Sequence, residues 1–310
     1  MEHYVTLFDS LFLPQGIALR DSLEEHGGAH TLWVLCMDDE TYEVLSRLGL
    51  ANLKPVRLSS VETPQLLQAK KDRTRVEYCW TLTPFTPGFV FQREAGVERV
   101  TYVDADLWFR RNPAPIFREL EESGKQILIT EHDYAAEHDQ SATSGRFCVQ
   151  FVTFRREGSE AVRTWWEERC IEWCYARQEN GKFGDQKYLD DWPERFGEHV
   201  HVLRNNRLIR APWNGPAVPD EDPVFYHFHA VRVLDDNKAN LGGYPLSRRL
   251  IREFYEPYMK ELGKAIRTLR KAGYEPKPQQ RHGMMLNLKR TLFWPFKERR
   301  RFVLMPLAGR

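Results

Sequence analysis

Two carboxylates one residue apart, Asp104 and Asp106, close the apolar run in RVTYVDADLWF (99–109), and Leu107, Trp108 and Phe109 follow at once. Carboxylate oxygens are hard donors that suit Mg2+ or Mn2+, above all where phosphate oxygens complete the shell. The spacing alone carries little weight. Asp220 and Asp222 repeat it in VPDEDPVF, between prolines, where a solvated turn is the natural reading. The first pair differs because a strand-like run leads into it and would fix both side chains on a rigid element. His-x-His also occurs twice, as His199 and His201 in EHVHVLR and as His227 and His229 in FYHFHAV, each pair alternating on an expected strand. One imidazole added to two carboxylates favours Mn2+ over Mg2+. A strand histidine is more often an ordinary hydrogen-bonded residue, and the residues alone do not choose between the pairs.

The elements that would position these groups follow from the hydrophobic pattern. HYVTLF (3–8) and TLWVLCM (31–37) read as buried strands, and PQGIALRDSLEEHG (14–27) reads as a helix closed by glycine. DDETYEVLSRLG (38–49) opens with acids suited to a helix N-terminus and stops at Gly49. KPVRLSS, a polar helical segment near 62–80 and the strand at 99–103 come next. PAPIFRELEESG predicts a helix, QILITEH and RFCVQFVTF predict strands, and 157–181 predicts one long helix ending at Gly181. HVHVLR and FYHFHAVRVL read as strands. From Pro245 the pattern is helical, interrupted by the linker-like YEPKPQQRHG (274–283). Strands alternating with helices imply crossover units and a mostly parallel sheet, an α/β protein. Ligands bind such sheets outside the carboxyl ends of the strands. Asp9, delivered by YVTLFD, is therefore expected on the same edge as Asp104 and Asp106.

A chain of 310 residues allows one large or two modest domains. The net charge of +1 argues against nucleic-acid binding, but it is unevenly spread: residues 281–310 carry +7 and the rest −6. That segment, MMLNLKRTLFWPFKERRRFVLMPL at its heart, interleaves basic and large apolar residues as an anionic membrane surface requires. The other reading is a terminal helix packed on the domain or on a second subunit. The N-terminus shows no signal-peptide pattern and no run of 18 apolar residues occurs, so a cytoplasmic protein is expected, peripheral on the inner face of the membrane if the tail binds lipid. Five cysteines do not make a disulfide framework, and Cys170 and Cys174, at helical spacing, read as packing residues.

Four stretches together, VTLFDSLFLPQGIALRDSL, TYVDADLWF, GDQKYLDDWP and FYHFHAVR, resemble the GT-A-type nucleotide-sugar glycosyltransferases, closest to the family 8 group, over roughly residues 3–235. The resemblance implies a Rossmann-like mixed, mostly parallel sheet flanked by helices in residues 1–244, followed by a helical, basic C-terminal extension in 245–310. It implies a nucleotide-diphosphate sugar as donor, Mn2+ or Mg2+ as cofactor, and a saccharide or lipid-linked acceptor in surface-polysaccharide synthesis, with retention of configuration. Residue by residue, it places Leu7, Phe8 and Asp9 at the nucleobase and makes Asp104, Asp106 and His227 the metal ligands. His199 and His201 are left with an ordinary role. Asp185 and Gln186 lie near the donor sugar, a position equally compatible with Asp185 capping the helix QKYLDDW, and Arg232 or Lys238 assists the phosphates. Two departures stand out. Cys148 and Gln150 occupy the place of an Asn-x-Gly beside the donor sugar. A basic residue usual before the metal motif is missing, and its candidate substitutes are Lys70, Lys71, Arg73 or Arg75 from upstream and Arg232 or Lys238 from downstream. A sugar-1-phosphate nucleotidyltransferase would need a glycine-rich basic loop after the first strand, which LFDSLFLPQG lacks. A non-catalytic nucleotide-sugar-binding scaffold of the same fold is the alternative function.

Overall fold

The apolar runs become strands β1 (Glu2–Phe8), β2 (His30–Cys36), β3 (Leu53–Arg57), β4 (Arg99–Val103), β5 (Leu107–Phe109), β6 (Ile127–Glu131), β7 (Phe147–Arg155), β8 (Val200–Val202), β9 (Ile209–Arg210), β10 (Phe225–His227), β11 (Arg232–Val233), β12 (Lys238–Asn240) and β13 (Leu304–Pro306). This computed structural model describes residues 1–234, 238–279 and 304–307. The central sheet has seven strands in the order β3-β2-β1-β4-β7-β6-β8, parallel except for β7, which runs antiparallel to β4 and β6. Alternate residues of β1 enter opposite faces: Tyr4 and Phe8 join one apolar cluster, Val5 and Leu7 the other. Helices cover both faces, which is why β1 and β2 read as nearly unbroken apolar runs. Each large apolar side chain so buried contributes about 1.5–3 kcal/mol.

Helix 13–26 lies on one face with Ile17 and Leu23 buried, and the C-terminal helix Glu256–Lys271 joins the same cluster through Ala265 and Leu269. A short sheet, β5-β10-β9, stands beyond the end of β4, and β11-β12-β13 forms a third. β13 pairs with β12, and Leu307 is buried among Val233, Ala239 and Leu262. Apart from residues 304–307, the basic tail read as a membrane contact lies outside the described residues. No described helix is long and apolar enough to cross a membrane.

Several local expectations are corrected. The helix expected over 157–181 spans only Glu160–Glu172. Trp173 turns extended (φ −154°) because its carbonyl is taken by the Tyr188 hydroxyl and Tyr175 stacks on the Arg73 guanidinium. The polar segment near 62–80 is two helices, Pro64–Lys70 and Arg75–Leu82, and the second is restarted by a reciprocal cap between Thr74 and Glu77. FYHFHAVRVL is not one strand. Ala230 adopts φ +66°, so the chain turns after His227 and His229 sits in that turn rather than alternating on a strand.

Candidate active site

The sheet aims the carboxylates. β1, β2 and β4 run parallel as neighbours, and Asp9, Asp38 and Asp104 follow their carboxyl ends. After Asp104 the chain makes a single turn, closed by the Leu107 N–H on the Asp104 carbonyl (3.2 Å), and leaves along β5. β5 pairs antiparallel with β10 in a register that sets His227 against Leu107, and the Phe228 N–H donates to the Asp106 carbonyl (2.9 Å). The apolar Leu-Trp-Phe flank is thus the strand that carries the histidine to the aspartates. One ligand atom from each of Asp104, Asp106 and His227 lies within 4.8 Å of the others. His227 Nε2 is 3.0 Å from Asp106 Oδ1 and 3.8 Å from Asp104 Oδ2.

The electrostatics are those of a site built to be neutralised. Burial pushes the Asp104 carboxyl up to about 6, with the Asp106 charge adding and His227 opposing. Burial acts on Asp106 too, but His227 outweighs it and holds that carboxyl below its usual range. On His227 burial favours the neutral ring, and Asp106 and Asp104 overcome it, raising the imidazolium pKa. Held at these distances, the three side chains would be able to hold a cation between them. Two hard carboxylates and one borderline imidazole converging on one point fit Mn2+, and also Mg2+.

Asp9 caps the short helix Ser10–Phe12 through the Leu11 N–H (2.9 Å) and meets Arg75 Nε at 2.7 Å. Burial raises the Asp9 pKa against that pairing. Arg75 also reaches Asp38 Oδ2 (2.5 Å), so of the four upstream cations considered, Arg75 is the one beside Asp9. Lys70 pairs with Glu62, Lys71 bonds Gln68, and Arg73 pairs with Asp72 and stacks on Tyr175. Burial would raise Asp38, but hydrogen bonds from Thr41 and Ser10 overcome it and hold the carboxyl at about 2. Leu7 and Phe8 bury their side chains in the core, so what they present to a ligand is main chain.

Asp185 is 2% exposed and stands at the N-cap of the short helix Gln186–Asp191 without a side-chain capping hydrogen bond. Its Oδ2 has no hydrogen-bond partner among the described residues. Burial pushes its pKa up to about 7, with the Asp104 charge adding and a Thr83 hydrogen bond opposing. Gln186 donates to the Ser144 carbonyl (2.8 Å), tying down the loop before β7. Arg232 acts electrostatically on Asp106 and His227 from β11, whereas Lys238 is exposed on β12. His199 bonds Gln126 and His201 bonds Glu119, both away from the cluster. Asp222 pairs with Arg110 in its loop.

Nothing in the sequence placed two residues found here, Gln150 and Trp213, against the histidine. Gln150 accepts the His227 Nδ1–H (2.7 Å), and Trp213 packs edge-on against the His227 ring at 5.1 Å. Gln150 had a signal: it is an amide in the otherwise largely apolar strand FCVQFVTF. Trp213 had none, because only the fold brings the 212–214 turn to the histidine.

No protein-family model matches the chain. Two Bacillus subtilis (strain 168) proteins do: YfnF is 31% identical over 263 residues, which span 76% of this chain and 83% of YfnF, and YfnD is 32% identical over 292 residues, 87% and 91% of the two chains. The chain belongs to the YfnF and YfnD family. Both of those members are uncharacterised proteins. Among solved structures, the fold resembles mouse xyloside xylosyltransferase 1 (TM-score 0.50, 14% identity, 74% of this chain and 98% of that one). It also resembles GlyE of Streptococcus pneumoniae TIGR4 (0.52, 14%, 90% and 66%) and the bifunctional WbbM (0.53, 11%, 89% and 52%). At such identities the likeness speaks for the fold alone: this member of the family has the GT-A glycosyltransferase fold.

Proposed function

We propose that the chain is a divalent-metal-dependent glycosyltransferase related to the family 8 group, moving a hexose from a nucleotide-diphosphate sugar to a saccharide or lipid-linked acceptor. The observation that carries the reading is the convergence of Asp104, Asp106 and His227 at the carboxyl edge of the sheet, one strand from Asp9. The names of the structural neighbours support it, as each is a glycosyltransferase.

Asp104, Asp106 and His227 would hold the ion, His227 through Nε2, the ring nitrogen that faces the two carboxylates. When bound, a divalent cation supplies Lewis-acid stabilisation of the charge that develops on the departing diphosphate. Arg232, with Lys238, adds positive charge for the phosphates. Asp9, held by Arg75 and the Leu11 N–H, faces the nucleobase, with the main chain of Leu7 and Phe8 beside it. Asp185 keeps Oδ2 uncommitted among the described residues, available to a hydroxyl of the donor sugar or the acceptor. Gln186 ties down the loop before β7 through the Ser144 carbonyl. Retention is the expected outcome, as the resemblance to the family 8 group implies, whereas Asp185 acting as general base on the acceptor hydroxyl would give inversion. Product-anomer NMR decides this, and a clean inverted product would refute it. The basic tail is read as a contact with anionic lipid during surface-polysaccharide synthesis.

The decisive experiment is a thermal-shift screen of nucleotide sugars with and without Mn2+. Metal-dependent stabilisation by one of them identifies base and sugar together. Stabilisation by none, with or without metal, sinks the proposal.

A further inference from the structure

Gln150 reaches two of the three candidate metal ligands. Its carbonyl accepts the Asp104 N–H (3.1 Å), and its Oε1 accepts the Nδ1–H of His227 (2.7 Å). Both side chains are buried, at 2% and 3% exposure. The contact joins β7 to β4, which delivers the aspartates, and to β10, which carries the histidine. A neutral imidazole has a single N–H. With the proton held on Nδ1, the lone pair lies on Nε2, the atom that faces Asp106 and Asp104. Without an acceptor at Nδ1, the proton would sit on Nε2 against Asp106, and the cluster would close as a hydrogen bond instead of opening to a cation. Partners of this kind orient ligating histidines and fix their tautomer.

We propose that Gln150 is a positioning residue of the metal centre, fixing His227 as its Nδ1–H tautomer so that Nε2 joins Asp104 and Asp106 on a divalent cation. The inference rests on the metal reading above. It gives the departure at this strand position a purpose: the amide stands where it holds a ligand.

The test is Mn2+ binding to the full chain without nucleotide, read by EPR of the free ion, for the native protein, Gln150→Leu, Gln150→Glu and Asp106→Asn. Leucine keeps the bulk and apolar packing but removes the acceptor, while glutamate keeps an acceptor at the same place. Gln150→Leu is expected to weaken Mn2+ binding by about 10–100-fold, with Gln150→Glu retaining it. Native-like binding by Gln150→Leu, alongside loss in Asp106→Asn, overturns the proposal and leaves the metal reading standing. Equal loss in the Leu and Glu variants, both folded by circular dichroism, also overturns it, because the acceptor would not be what matters. No Mn2+ binding by the native protein overturns both. A second readout does not depend on the variants folding. Histidine 15N NMR of the Mg2+-loaded native protein should show His227 protonated on Nδ1, and an Nε2–H tautomer there overturns the proposal.

Discussion

Replacing Asp185 by asparagine is expected to stabilise the metal-free protein above neutral pH and to change little near pH 4. The carboxyl is 2% exposed with an unpartnered Oδ2 among the described residues, and burial, reinforced by Asp104, raises it from 3.8 to about 7. A folded-state pKa above the unfolded one means that the unfolded chain releases its proton first. Below about pH 3.8 both states are protonated and the group carries no penalty. As pH rises from there through about 7, the unfolded state gains the free energy of ionisation that the folded site withholds, and stability falls. At 1.36 kcal/mol per pH unit the span corresponds to roughly 4 kcal/mol at pH 8. Asparagine has the same shape without the charge, so it should recover most of that, about 5–10 °C in Tm for a chain of this size. The assay is urea unfolding of both proteins in EDTA from pH 4 to 8.5. A stability difference that does not grow with pH would refute the account of Asp185 as a buried, undercompensated carboxyl. Loss of transfer activity in the more stable variant would complete the pattern of a site residue whose strain serves function.

Further expectations concern the same site and its surroundings. Asp106→Asn should weaken Mn2+ binding by more than about 100-fold, beyond the usual effect of an outer-shell change. Asp222→Asn, which removes the charge paired with Arg110 while Arg110 keeps its bond to the Glu253 carbonyl, should leave binding intact and shift stability by no more than about 1 kcal/mol. Mn2+ affinity, measured by titration calorimetry, should fall as pH drops through about 6, because protons then compete for Asp104, with the raised pKa of His227 acting in the same direction. Ala230→Gly should raise Tm, worth up to about 1 kcal/mol, by relieving a left-handed backbone that an L-residue resists, less the entropy glycine adds to the unfolded chain. Neutralising the Lys and Arg residues of 281–303 should abolish pelleting with anionic liposomes while sparing stability. Deleting the whole tail is the wrong test, because residues 304–306 pair with β12.

The local pattern determined a good deal. Alternating strands and helices, glycine stops and the carboxyl ends of β1 and β4 were all visible, because backbone periodicity and turn chemistry are properties of neighbouring residues. They sufficed to put Asp9, Asp104 and Asp106 on one edge. The partner histidine followed only from resemblance, since His199 and His227 sit in similar local patterns. What separates them is the pairing of β10 with β5, a contact between segments more than a hundred residues apart. The long helix at 157–181 was misjudged for a similar reason. Its periodicity continues, but the Tyr188 hydroxyl and the Arg73 guanidinium capture the residues after Glu172 from elsewhere in the chain. Arg75 beside Asp9, the orphaned oxygen of Asp185 and the grip of Gln150 on His227 belong wholly to the tertiary structure. Burial and long-range hydrogen bonds set them, and neither quantity exists until the sheet has brought distant strands together.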